Sequence, residues 1–101
     1  MNNPPIVVNK YKVDFDEYIG RGSIWGNPYE IDESKGMFRH IVIELYREHI
    51  YAKLESGEIT IQMIKNLGGK RLGCFCKPKD CHGDVLVEIY NIIMEMENDA
   101  G

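Results

Sequence analysis

Apolar residues recur along this chain in two different periods, and the places where the period changes divide it into elements. After Pro4-Pro5, the run Ile6-Val7-Val8-Asn9-Lys10-Tyr11 is β-branched and aromatic, which predicts a strand, and Tyr18-Ile19 predicts a short second one. Gly20 to Pro28 is rich in glycine and stops at a proline, so it reads as a loop. Asp32-Glu33-Ser34 then offers capping oxygens to a segment in which Phe38, Ile41, Val42, Leu45 and Tyr46 recur at helical spacing. This predicts a helix from about Lys35 to Glu55. Ile59, Met63, Ile64 and Leu67 predict a shorter helix stopped by Gly68-Gly69.

Arg71-Leu72-Gly73-Cys74-Phe75-Cys76 returns to strand character. After the Lys77-Pro78-Lys79 turn, a last helix is expected from Asp80, a good N-cap residue. Val85, Leu86, Ile89, Ile93 and Met96 form its apolar stripe, and the charged tail from about residue 97 is expected to fray. The order strand, strand, helix, helix, strand, helix predicts an α/β fold. It would be one small domain over residues 1–101, with a short sheet of about three to four strands and helices packed on it.

Length and composition agree: 101 residues, 44% hydrophobic and 28% charged, fit one soluble domain and leave no room for two independent cores. No apolar run nears the roughly 20 residues that span a bilayer. Met1-Asn2-Asn3-Pro4-Pro5 lacks the basic and apolar parts of a secretory signal, so the expectation is a cytoplasmic protein without a membrane partner. Cys74, Cys76 and Cys81 cannot all pair within one chain and lie close together, which argues against a disulfide scaffold.

The net charge of −4 argues against a binder of long nucleic acid. That charge is uneven, however. Residues 68–82 carry Lys70, Arg71, Lys77 and Lys79 against Asp80 alone, while residues 83–101 carry five acids and no Lys or Arg. A small anion is compatible with such a distribution.

Two stretches carry the parts of a site. In Gly20-Arg21-Gly22-Ser23-Ile24-Trp25-Gly26-Asn27-Pro28, the glycines let backbone N–H groups turn toward an anion, Arg21 and Ser23 add side-chain donors for phosphate, and Trp25 offers a stacking face. It is not a dinucleotide fingerprint, because the third glycine comes one residue late and Asn27-Pro28 stands where a helix should begin. The other reading is a tight turn with Trp25 buried as a core plug.

The second stretch is Gly73-Cys74-Phe75-Cys76-Lys77-Pro78-Lys79-Asp80-Cys81-His82-Gly83-Asp84. Cys74, Cys76, Cys81 and His82 are chemically a zinc set, although a Cys-x-Cys pair on a strand and the adjacent Cys81-His82 are unlike the usual knuckle spacing. No cofactor is assigned, with zinc as the alternative. A helix starting at Asp80 would point the N–H groups of Cys81, His82 and Gly83 at an anion, with Lys77 and Lys79 adding charge and Gly83 permitting close approach. His82 is the candidate for proton transfer or phosphate contact, Asp84 for a base, a ribose acceptor or a dipole partner, and Cys81 for a nucleophile if the protein is an enzyme.

Taken together, Gly20-Arg21-Gly22-Ser23, Trp25-Gly26-Asn27-Pro28, Cys74-Phe75-Cys76 and Cys81-His82-Gly83-Asp84 resemble a family of small uncharacterised domains from bacteria and their phages. The resemblance covers most of the chain, implies a compact α/β protein in the cytoplasm of a bacterial host cell, and suggests that the two motifs form one site. The leading expectation is a binder of a nucleotide or ADP-ribose-like molecule through Gly20, Arg21, Gly22, Ser23, Trp25, Asn27, Lys77, His82, Gly83 and Asp84. As a phage protein and a homodimer or larger assembly, it would sequester a nucleotide-derived immune signal. The alternatives are a hydrolase or glycosyl-transfer enzyme using His82, Asp84 or Cys81, and a zinc-stabilised protein-interaction module.

Overall fold

The computed structural model describes residues 3–100. Strands β1 (Ile6–Asn9), β2 (Glu17–Tyr18) and β3 (Arg71–Cys74) form one parallel sheet in the order β1-β3-β2. Val7 pairs with Leu72 on one side of β3, and Glu17 pairs with the same Leu72 on the other. The fold is therefore α/β, with three strands.

The strands stop where a local alternative to the ladder exists. β1 ends at Asn9 rather than Tyr11, because the Asn9 carbonyl accepts the N–H groups of Lys12 and Val13 and its side-chain oxygen accepts that of Tyr11 at 2.9 Å. β3 ends two residues before Cys76, whose carbonyl accepts the Lys79 N–H in a turn. Ile19 lies just past β2, yet its N–H still reaches the Gly73 carbonyl at 3.1 Å.

The long helix α1 spans Arg39–Ser56 and starts later than the pattern predicts. Gly36 has φ +77°, a conformation that no α-helix contains, so the preceding residues form only a 3-10 turn at Glu33–Lys35. The Ser34 hydroxyl donates to the Asp32 carboxylate at 2.6 Å instead of capping a helix. The short helix α2 (Ile61–Lys65) is capped by Thr60, whose hydroxyl oxygen accepts the Met63 N–H. The last helix, α3 (Gly83–Ala100), continues as helix through the stretch expected to fray.

Alternation along β3 sends Leu72 and Cys74 to one face of the sheet and Gly73 to the other. The first face carries the core, in which Ile19, Tyr46, Ile50, Leu72, Val85, Leu86 and Ile89 are sealed from solvent, with Val7 packed against them. Each fully buried aliphatic side chain of this kind stabilises the fold by roughly 1.5–3 kcal/mol relative to exposure. Met96, predicted on the buried stripe, is instead 66% exposed, while Ile93 and Met94 pack with the core. On the opposite face a Cβ at Gly73 would lie 2.6 Å from the Phe15 ring, so only glycine admits this aromatic cover. The Lys10 ammonium sits 4.8 Å from the Tyr18 ring centre beside it.

Because all three strands run the same way, the segments that leave their C-terminal ends gather at one edge, where open α/β sheets usually bind ligands. Residues 19–31 and 75–82 both lie at this edge. No helix among the described residues is long and apolar enough to cross a membrane.

Candidate functional site

The loop after β2 is two consecutive turns. The Ser23 N–H bonds the Gly20 carbonyl and the Gly26 N–H bonds the Ser23 carbonyl, each at 3.1 Å. Gly22 has φ +90°, and a Cβ at Gly26 would come 2.8 Å from the Gly20 carbonyl oxygen. Both glycines are therefore demanded by the turns. The Ser23 hydroxyl gives its single hydrogen to the Gly20 carbonyl at 2.7 Å, so this donor is used within the turn.

Trp25 points inward. Only 4% exposed, it plugs the core, and its carbonyl accepts the Tyr46 hydroxyl at 2.7 Å, so it presents no face to a base. Asn27 fastens the loop to α1 by donating to the Val42 carbonyl at 3.1 Å, while its side-chain oxygen accepts the Tyr29 N–H.

On the second segment the helix starts at Gly83 rather than at Asp80, and Cys81 exchanges hydrogen bonds with its first turn. The Gly83 N–H donates to the Cys81 sulfur at 3.4 Å, and the Asp84 carboxylate reaches back to accept the Cys81 N–H at 3.1 Å. This is the reciprocal logic of a capping box with sulfur in place of a hydroxyl. The Lys77 ammonium donates to the other Asp84 oxygen at 2.8 Å, so the cation expected to meet a ligand is neutralised within the protein. Burial is the largest single effect and opposes the charge on Lys77, but the hydrogen bond and charge of Asp84 together with the charges of Cys81 and Cys74 outweigh it, so the Lys77 pKa is raised. Gly83 is buried, and a Cβ there would lie 2.7 Å from Ile19 Cδ1 and 2.9 Å from Val7 Cγ2. Its missing side chain brings α3 onto the sheet rather than admitting a ligand.

His82 Nε2 lies 2.6 Å from the Ile19 carbonyl oxygen. A carbonyl only accepts, so Nε2 carries the proton and Nδ1 is left as an acceptor, 3.5 Å from the Cys81 sulfur. Burial lowers the His82 pKa, and the bond to Ile19 offsets this only in part. The Tyr46 ring meets the imidazole edge-on at 4.9 Å.

The Cys81 thiol donates to the Cys74 sulfur at 3.0 Å, and both residues are 1% exposed. Cys74 is lowered to about 6, first by this bond and, against burial, by the N–H groups of Cys76 and Lys77 and by the Lys77 charge. Cys81 is pushed up by the Cys74 sulfur and by burial. Zinc–thiolate bonds of about 2.3 Å at a tetrahedral angle hold two sulfurs roughly 3.8 Å apart, wider than this contact. Among the described residues no group of three or more His, Cys, Asp or Glu side chains is placed to hold a metal ion.

The two segments enclose a cleft of about 310 Å³. Cys74, Cys81 and His82 lie at its buried end, Ile31, Val42 and Ile43 form apolar walls, and Arg21, Arg39, Tyr29 and Phe75 stand toward solvent. Of the residues expected at a site, Gly20, Arg21, Asn27, Cys81 and His82 meet here, with Cys74 and Cys76 of the alternative zinc set. Gly22 and Ser23 face a second groove beside His49 and Lys53, and Trp25, Lys77, Gly83 and Asp84 do not line the cleft.

Sequence reasoning missed Tyr29, Ile31, Arg39, Val42, Ile43 and Phe75. Phase along the chain could have found Phe75, since a residue between two inward cysteines on an extended segment faces outward, and it is 55% exposed. Arg39 gave no local signal. Its guanidinium reaches the Asp80 carbonyl at 3.0 Å from a position 41 residues earlier in the chain.

Residues 7–92, which contain both loops and every residue lining the cleft, match the model of a family described as a domain of unknown function, DUF4326. The chain belongs to this family. A protein of Enterobacteria phage T4, described as an uncharacterized 12.4 kDa protein in the nrdA-td intergenic region, is 48% identical to it over 85 residues. The alignment covers 84% of this chain and 76% of the phage protein. No solved structure matches this DUF4326 chain.

Proposed function

We propose that this DUF4326 domain binds a small phosphorylated molecule derived from a nucleotide in the cleft, and holds it without turning it over. The observation that carries this reading is the convergence of two arginines, Arg21 and Arg39, at the rim of an apolar cleft on the C-terminal edge of the sheet. Guanidinium groups suit phosphate because they present paired donors in one plane. Arg39 gives one donor to Asp80 and keeps the others, and Arg21 pairs only loosely with Glu30 at 3.5 Å, with both side chains largely exposed. An exposed pair of this kind exchanges readily for a phosphate.

A planar base would lie against Phe75 and Tyr29, which replace Trp25 as the aromatic surface. The volume is at the lower end of the roughly 300–1,000 Å³ of small-molecule pockets and favours a ligand of mononucleotide size. Binding is favoured over catalysis by the state of the candidate acid–base groups. Asp84 is held by Lys77 and the Cys81 N–H, and His82 Nε2 is held by Ile19. With a phage relative at 48% identity, sequestration of a nucleotide-derived signal is a role this binding would serve.

Calorimetry against a panel of nucleotides and cyclic or ADP-ribose-like derivatives tests the proposal. Arg21→Ala and Arg39→Ala should each weaken binding about 10- to 100-fold, the loss of a charge-assisted hydrogen bond. Undiminished affinity in the double variant refutes the site. Recovery of a chemically altered ligand after denaturation refutes simple binding in favour of an enzyme.

A further inference from the structure

We propose that Cys74 and Cys81 are a redox-active dithiol that closes to an intramolecular disulfide at the inner end of the cleft. The inference goes beyond ligand binding and stands whether or not the cleft takes a nucleotide. Two buried cysteines can be inert apolar filler. Here the pair sits within the core but polar groups reach it. The sulfurs touch at 3.0 Å, and the Lys77 charge with the Cys76 and Lys77 backbone N–H groups favours the ionised form of Cys74. The His82 Nδ1 acceptor lies 3.5 Å from the Cys81 sulfur. These groups stabilise a thiolate on Cys74 and offer a proton acceptor to Cys81. Both cysteines line the cleft, which gives a small oxidant a route to them.

The oxidant is a peroxide. The Cys74 thiolate attacks one oxygen of hydrogen peroxide, the O–O bond breaks, and Cys74 becomes a sulfenic acid while hydroxide leaves and is protonated to water. Cys81 then passes its proton toward His82 Nδ1 and attacks the Cys74 sulfur. The S–S bond forms, the S–O bond breaks, and the departing hydroxide takes that proton to leave as a second water. Two thiols lose two electrons in all, and one peroxide gains them. Dithiothreitol reverses the reaction by thiol–disulfide exchange. The sulfurs need to approach by about 1 Å to reach the usual bond length near 2.05 Å.

Cys76, half-buried in the same cleft, is the control. Reduced wild type and Cys76→Ser are exposed to hydrogen peroxide, unfolded, and alkylated with iodoacetamide. Cleavage after Arg71 and Lys79 then puts Cys74 and Cys81 on separate peptides. In the wild type one cysteine, Cys76, should remain free to alkylate, and in Cys76→Ser none should. The two peptides should be joined in both proteins and released by dithiothreitol. The proposal is overturned if Cys74 and Cys81 both stay alkylatable, if Cys76→Ser forms no bridge, or if the bridges join separate chains. Neither protein alters the buried pair, so the result does not depend on a core substitution, and nucleotide binding plays no part in it.

Discussion

Removing the hydroxyl of Tyr46 isolates the contact that pins the loop beneath the cleft. Tyr46 is fully buried in α1, and its hydroxyl donates to the Trp25 carbonyl at 2.7 Å. Tyr46→Phe keeps the ring, its edge-on packing against His82 and the volume of the core. What it removes is one donor, leaving a buried carbonyl without this partner. A net hydrogen bond is worth about 1 kcal/mol, and a buried group left unsatisfied costs about 1–3 kcal/mol, so a loss near 2 kcal/mol is expected. With a urea slope of about 1–3 kcal/mol per molar for a small domain, the midpoint should fall by roughly 1 M. The melting temperature should fall by about 8–16 °C, at about 4–8 °C per kcal/mol. Urea unfolding followed by far-ultraviolet circular dichroism measures the change at constant slope. A loss under about 0.5 kcal/mol would refute the reasoning, because the Trp25 carbonyl would then find another partner at no cost.

Trp25→Ala should destabilise by about 3–5 kcal/mol through the cavity it leaves; a calorimetric scan with an unchanged melting temperature would return Trp25 to the role of an exposed stacking residue. Asp84→Ala should cost about 1–2 kcal/mol in urea by removing the acceptor for the Cys81 N–H and the partner of Lys77, whereas Lys79→Ala, at an exposed position, should be neutral. Stability should also fall as pH drops below His82's ordinary value of 6.5. Burial lowers the folded pKa, so between the two values the unfolded chain binds the extra proton and acid favours unfolding. His82→Gln should flatten that part of the curve, and parallel curves for the two proteins would contradict it.

Much of this architecture was legible in the order of residues, and the failures have local causes. The six main elements were readable because period 2 and period 3.6 separate strands from helices. Their ends moved wherever a short-range contact competed: the Asn9 side chain stops β1, Gly36 delays α1, and the Asp84 carboxylate with the Cys81 sulfur shifts the helix start from Asp80. Arg21, Asn27, Cys81 and His82, singled out for their chemistry and spacing, line the cleft. Ser23, Lys77 and Gly83 have equally suggestive chemistry, but their partners are Gly20, Asp84, and the side chains of Ile19 and Val7.

The sequence by itself determined an α/β chain whose two motif segments leave strand ends, because periodicity and turn chemistry act over neighbouring residues. Only the tertiary structure decided what each motif residue does, because that depends on groups far away in the chain. Trp25 becomes a plug because Tyr46, on α1, supplies a buried donor to its carbonyl. The cleft acquires a second arginine because α1 carries Arg39 to Asp80, and two cysteines meet because β3 ends beside the first turn of α3. The acidic net charge argued against a long polyanion as the partner. Parallel strand order then collected arginines, apolar walls and thiols at one edge of the sheet, an arrangement that no stretch of the sequence displays alone.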